Sequence, residues 1–110
     1  MATTYKVLGQ IVAPSAASAT TAYTVPSATQ AVISTITACN QGVGSANVRI
    51  AVRPDGETLE AKHYLVYDVT LGAGQTAAFT LGVTADASDV VTVQSSTAEV
   101  SFNVFGTEIA

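Results

Sequence analysis

The sequence predicts an all-β protein: a single antiparallel β-sandwich or jelly-roll-like domain of about eight short strands. Three observations carry that prediction. Several segments alternate apolar and polar residues with a period of two, turn-forming clusters recur at intervals of about ten residues, and β-branched Val and Thr are abundant. Branched side chains suit a pleated, half-buried surface better than a helix.

The elements follow in order. Tyr5–Val12 is an apolar strand interrupted by Gly9. Residues 13–21 are low in complexity and read as an extended, linker-like segment. Ala22–Val25 ends at Pro26, which has no N–H for a ladder and so suits a strand end or an edge. Gln30–Cys39 is a long β-branched run. In 47–53, Val48, Ile50 and Val52 alternate with Asn47, Arg49 and Arg53. After Pro54-Asp55-Gly56, the best place for one helical turn is Thr58–Lys62. In 64–71, Leu65, Tyr67, Val69 and Leu71 share one face, which sets Tyr64 and Tyr67 on opposite faces. Ala77, Phe79, Leu81 and Val83 alternate in the same way, Val90–Gln94 is short, and Ala98, Val100, Phe102 and Val104 close the set. The breakers between them are Asn40–Ser45, Gly72-Ala73-Gly74 and Asp86–Asp89. The side chains expected between two sheets are Val48, Ile50, Val52, Leu65, Tyr67, Val69, Phe79, Leu81, Val100, Phe102 and Val104.

The chain has 110 residues, enough for one domain (1–110) that buries roughly 65% of its unfolded surface. Charged residues are 11%, against about 25% in an ordinary soluble domain. Net charge is −4, and Lys6, Arg49, Arg53 and Lys62 are the whole basic supply. Phosphate backbones need clustered Lys and Arg, so no nucleic-acid partner is expected. No run reaches the roughly 18 apolar residues of a membrane span, so no membrane partner is expected either. Met1–Lys6 has no apolar segment behind it, which predicts no signal peptide and assembly in a cytoplasm. Cys39 is the single cysteine and reads as a small buried hydrophobe.

The inventory argues against catalysis. His63 is the only imidazole, and no Gly-x-Ser-x-Gly elbow accompanies it. Zinc sites generally need more His and Cys than this chain holds. Asp55 with Glu57, and Asp86 with Asp89, read as turn chemistry, since neither pair matches a calcium-loop spacing. The expectation is no enzyme and no cofactor. A receptor- or glycan-binding module is the alternative, with Tyr5, Tyr23, Tyr64 and Phe105 as stacking candidates, although Trp is absent.

Charge is uneven along the chain. None falls in 7–48 or in 69–85, and seven of the twelve charged residues lie in 49–68. An isolated monomer keeps charges of both signs over its surface. Long uncharged stretches predict surfaces covered by protein, in a homo-oligomer (a trimer or ring) or a subunit docked on a larger lattice. Strands in 5–12 and 22–39 are expected to supply much of the contact. Arg49 and Arg53 should point away from the core and pair with carboxylates, either across a subunit boundary or on the shell. The expected interface residues are Tyr5, Lys6, Arg49, Arg53, Glu57, Lys62, His63 and Tyr64.

Five segments carry a resemblance. They are Thr4-Tyr5-Lys6-Val7-Leu8-Gly9-Gln10, Tyr23-Thr24-Val25-Pro26, Val48-Arg49-Ile50-Ala51-Val52-Arg53-Pro54, Lys62-His63-Tyr64-Leu65-Val66-Tyr67-Asp68 and Ser101-Phe102-Asn103-Val104-Phe105-Gly106. Across almost its whole length the chain resembles small virion structural proteins of tailed bacteriophages. That resemblance implies a capsid decoration or cement subunit, or a small neck or tail component, whose partners are other virion proteins. It brings no catalytic residues with it.

Overall fold

The computed structural model describes residues 2–13 and 16–110, so Pro14 and Ser15 of the linker-like stretch lie outside the described residues. Nine strands run through the described residues: β1 Thr3–Val12, β2 Thr20–Thr24, β3 Gln30–Asn40, β4 Ala46–Arg53, β5 Tyr64–Leu71, β6 Thr76–Phe79, β7 Val83–Ala85, β8 Val90–Ser95 and β9 Val100–Ile109. All pairings are antiparallel. Sheet A has the order β1-β9-β3-β6, with β7 also on β3, and sheet B has the order β2-β8-β4-β5. The predicted all-β sandwich is what forms, with one strand more than expected, and β1, β3 and β9 are long rather than short.

The core fills the space between the sheets. Ile33, Ile36, Val100, Phe102 and Val104 come from sheet A, and Val48, Ile50, Val91 and Val93 from sheet B, all buried. Each such side chain removed from water stabilises the fold by about 1.5–3 kcal/mol. Val52 and Phe79 pack at its margin.

Four of the expected core residues are not buried. Leu65 is 45% exposed, Tyr67 58%, Val69 38% and Leu81 48%. Val69 lies opposite buried Val48 and faces inward, exposed because β5 is an edge strand, whereas for Leu65 and Tyr67 the cause is register. Val48 pairs with Val69, Ile50 with Val66 and Ala51 with Tyr64, so β5 carries an extra residue in each interval. A bulge flips the face of every residue beyond it. Val66 is therefore turned into the core, while Leu71, opposite buried Ala46 before the first irregularity, keeps the place its alternation predicts. Asp68 sits at the irregularity with φ +54, a left-handed conformation that Asp tolerates better than a branched residue. Leu81 lies between β6 and β7, beside Gly82 at φ +66, where the chain turns.

Sheet A has bulges of its own, between Val7 and Gly9 in β1 and between Ile33 and Thr35 in β3. Glycine is required at two close approaches. A Cβ on Gly9 would collide with the Ala22 carbonyl of β2, and one on Gly106 with the Val32 carbonyl of β3. At one end of the sandwich, buried Asn40 ties two loops together. Its Nδ2 donates to the carbonyls of Gly44, Leu71 and Gly72, and its Oδ1 accepts from the Gly42 N–H. The stretch after β1 is bonded at both described ends, Ala13 N–H to the Val100 carbonyl at 3.1 Å and Ala17 N–H to the Ser95 carbonyl at 2.7 Å.

Two single 3-10 turns, Pro54–Gly56 and Ala61–His63, bridge β4 to β5. The second begins later than the expected Thr58–Lys62, because the His63 ring folds back to accept the Glu60 N–H. Cys39 is not fully buried. It is half-buried on the outer side of β3, opposite Ser101 and Thr76.

Candidate functional site

The strands of sheet A place their side chains alternately in and out, and opposed residues share a face. One row runs straight across four strands: Tyr5, Thr107, Val32, Thr84. Beside it lie Val7, Phe105 and Thr35 in one row and Thr3, Ile109 and Gln30 in the next. Tyr5 is 83% exposed, Val7 47%, Val12 51% and Val32 40%. Further along, Gln10 bonds Asn103 at 2.8 Å, and Cys39, Thr37 and Ala78 continue the surface. Among the described residues, the strands put no charged side chain on this outer face, and Asp86, directly after β7, adjoins it at the corner formed by Gln30, Val32, Thr84 and Ile109.

The strands of sheet A do contain two charges, Lys6 and Glu108, and both are on the inner side. Lys6 Nζ lies 2.8 Å from Glu108 Oε1, and the buried Tyr23 of sheet B donates its hydroxyl to Glu108 Oε2 at 2.6 Å. The Lys6 bond, with the Tyr23 bond behind it, holds the Glu108 carboxyl below the usual carboxylate range. Burial, with Glu108 beside it, pushes the Tyr23 phenol up. Tyr23 is thus a buried cross-sheet strut and not an exposed stacking platform. Of the two interface candidates in β1, Tyr5 lies outside and Lys6 is turned inward.

Sheet B presents the opposite chemistry. Arg49 on β4 donates Nε–H to Asp68 Oδ1 at 2.6 Å and Nη2–H to Oδ2 at 3.0 Å. This fork raises the Arg49 guanidinium and lowers the Asp68 carboxyl, each because of the other. The guanidinium lies 4.1 Å from the centroid of the Tyr67 ring and 6.0 Å from that of Tyr64. Tyr64 and Tyr67 meet edge to face, centroids 4.9 Å apart at 84°. The extra residue between Tyr64 and Val66 brings them to one face, overturning the expectation of opposite faces. Tyr67, assigned to the core from its spacing, is the missed member of this group. A separation of three inside a strand signals a shared face only when a bulge is present.

Arg53, at the other end of β4, donates to Thr92 Oγ1 and to the carbonyls of Gly56 and Glu57. It pins the turn at 54–56 within its own chain. His63 is buried. Since Nδ1 accepts the Glu60 N–H, Nε2 carries the proton and faces Glu57 Oε1 at 3.2 Å. Lys62 Nζ stands 3.6 Å from Glu60 Oε1 and 4.0 Å from Glu57 Oε1. The eight interface candidates therefore divide: Arg49 with Tyr64, Arg53 with Glu57, Lys62 and His63, and Tyr5 and Lys6 on the other sheet. Among the described residues, no three of His, Cys, Asp and Glu converge as a metal site would.

The likeness to solved structures lies in this architecture. With a TM-score of 0.53 and 12% identity, 97% of the chain superposes on 29% of a chain in the crystal structure of the T13 IBDV viral particle. With a TM-score of 0.50 and 10% identity, 97% of it superposes on 32% of a chain in the structure of infectious bursal disease virus, Gt strain. A pentameric capsid protein isolated from metagenomic phage sequences matches 96% of the chain over 59% of its own length, at 21% identity and a TM-score of 0.37. No family model matches the chain, and no curated protein is similar to it. The chain spans about a third of the length of the two viral-particle chains, and at these identities the likeness shows a common fold.

Proposed function

We propose that this protein is a non-catalytic structural component of a bacteriophage virion. The reading is a capsid decoration or cement subunit, or a small neck or tail component, that stabilises the particle through protein–protein contacts. The observation that carries it is the outer face of sheet A, an exposed and partly apolar surface on which the strands place no charge, with Asp86 at one corner. Depletion of charge, more than bulk hydrophobicity, distinguishes the centre of a protein interface from ordinary surface. Three strands about 33 Å long, with the short β6 and β7 following one another along β3, present about 600 Å² of sheet, close to the ~800 Å² per partner of a standard interface.

Three further facts support the reading. The fold is shared with chains of viral particles. Both ring nitrogens of the only imidazole are engaged within the chain. All four basic residues have partners in the chain, leaving no basic patch for phosphate. The partners of sheet A are then capsid shell, neck or tail proteins, and further copies of this chain in a trimer or ring. The 110 residues act as one domain, in a virion assembled in the host cytoplasm.

Purified particles test this. Quantitative mass spectrometry should find the chain at a copy number set by the symmetry of the shell or of the neck ring. Cryo-microscopy should show sheet A turned toward its neighbours. A chain absent from purified particles, or present with sheet A open to solvent, overturns the proposal.

A further inference from the structure

Tyr64 and Tyr67 form one wall of an open groove on the outer side of sheet B, and Leu59, Glu60 and Ala61 line the rest. We propose that this groove is a binding site for a neutral carbohydrate, with one pyranose ring stacked on Tyr67. The inference concerns the face opposite to the proposed assembly surface and does not rest on the chain's place in a particle.

The argument starts from the rings. Tyr67 is 58% exposed, and Tyr64 meets it at 84° to make a corner rather than a flat patch. The corner is held in place before any ligand arrives. Arg49 stacks on Tyr67 at 4.1 Å, and two hydrogen bonds to Asp68 fix Arg49 in turn. Holding Tyr67 in one rotamer lowers the ordering cost of binding.

Charge then selects the ligand. The charged groups around the groove are already matched: Arg49 by Asp68, and Glu60 by Lys62 at 3.6 Å. No unmatched charge remains to capture an ion, and a cationic ligand would meet Arg49 and Lys62 nearby. The surface offered is an aromatic corner with a small apolar patch from Leu59 and Ala61, rimmed by the Glu60 carboxylate, which accepts hydrogen bonds. A pyranose has the matching form: an apolar C–H face for the ring, and hydroxyl donors around its edge for the carboxylate.

The test uses the isolated, isotopically labelled chain. Amide spectra are followed as glucose, galactose, mannose and N-acetylglucosamine are each added to about 50 mM, a range suited to dissociation constants on the order of 1 mM. At least one sugar should give saturable shifts confined to residues 59–61 and 64–68. Tyr67→Ala should weaken that binding by about tenfold or more, Tyr67→Phe should retain most of it, and Tyr5→Ala should leave it unchanged. The same spectra report that each variant is folded. Absence of saturable shifts with all four sugars overturns the proposal. So does equal binding by Tyr67→Ala. A response to tetramethylammonium with none to the sugars overturns it too, by showing a cation cage.

Discussion

The two outer faces of this sandwich are built from the same kind of strand and differ in where charge is put. Sheet A exposes Tyr5, Val7, Val12 and Val32 among threonines, asparagine and glutamine, and turns its only two charges, Lys6 and Glu108, inward onto Tyr23. Sheet B exposes Tyr67 as well, yet it carries the Arg49–Asp68 fork and adjoins the charged connection 54–63. Apolar exposure alone does not separate the faces. Charge does, because an unpaired charge buried in an interface costs several kcal/mol, whereas an exposed methyl costs little. An inward-pointing charge on an edge strand such as β1 also discourages unplanned strand addition there, leaving contact to the face.

Four variants, one of them a double substitution, and a pH series with its own variant would break or sharpen that contrast. The largest effect is expected where the faces share a floor. Phe102 is wholly buried between the sheets, so Phe102→Ala should cost about 3–5 kcal/mol in denaturant unfolding and disable both faces together. A variant that unfolds at the parent's midpoint would remove Phe102 from the core. Next, Gly106→Ala forces a Cβ into the Val32 carbonyl directly beneath the sheet A face, and about 1–3 kcal/mol should be lost. An unchanged midpoint would mean the β3–β9 bulge yields.

The third change separates face from fold. Val32→Glu places one charge at the middle of sheet A's outer face, 40% exposed in the parent. Its thermal midpoint should barely move, while incorporation into particles falls at least about tenfold. Normal incorporation would show that this face is not the contact.

The pH series addresses the inward charges. The Glu108 carboxyl is held low by Lys6 and Tyr23, so its stabilising contribution is present above the unfolded value, about 4.3, and is lost as pH falls through the lower folded value. Tyr23 has the opposite sign. Its phenol is pushed up by burial, so stability is complete below about 10 and declines as pH rises beyond it. Glu108→Gln should flatten the acid limb of a melting-versus-pH curve, and an unaltered acid limb would assign it to other carboxylates.

The smallest effect on the fold is expected from Arg49→Ala with Arg53→Ala. The Arg49–Asp68 pair is exposed and solvent screens it, so melting should stay close to the parent's. If these arginines also contact neighbours, incorporation will fall and the wild-type chain's incorporation will weaken with salt. If incorporation is normal at every salt concentration, the arginines serve only to hold Tyr67 and the 54–56 turn.

Legibility followed register. In 100–104 of β9, Val100, Phe102 and Val104 point inward as their alternation predicts, because no extra residue interrupts them. Val48 and Ile50 behave likewise. In β5 the same kind of alternation misled, because two extra residues are absorbed against β4. Of the candidate site, Tyr64 and Arg49 were readable as exposed, but Tyr67 looked like core. Its place beside Tyr64 depends on how many residues β5 spends opposite Ile50, which no local pattern records. The uncharged run from Val7 to Val48 was visible at once, but it passes through both sheets, so it could not name the face.

The amino-acid sequence by itself determined the class of fold, through period two and turn spacing, and the crowding of seven charges into 49–68. Both are properties of neighbours along the chain. Tertiary structure alone decided which side of each sheet a residue occupies. Facing in a strand is a matter of parity, and one bulge reverses it. The bulges at Val7–Gly9, Ile33–Thr35 and in β5 exist only because distant strands pair in one register, Val7 with Phe105 and Ile50 with Val66. That pairing gathers uncharged residues from four strands into one face and sets two tyrosines against one arginine on the other.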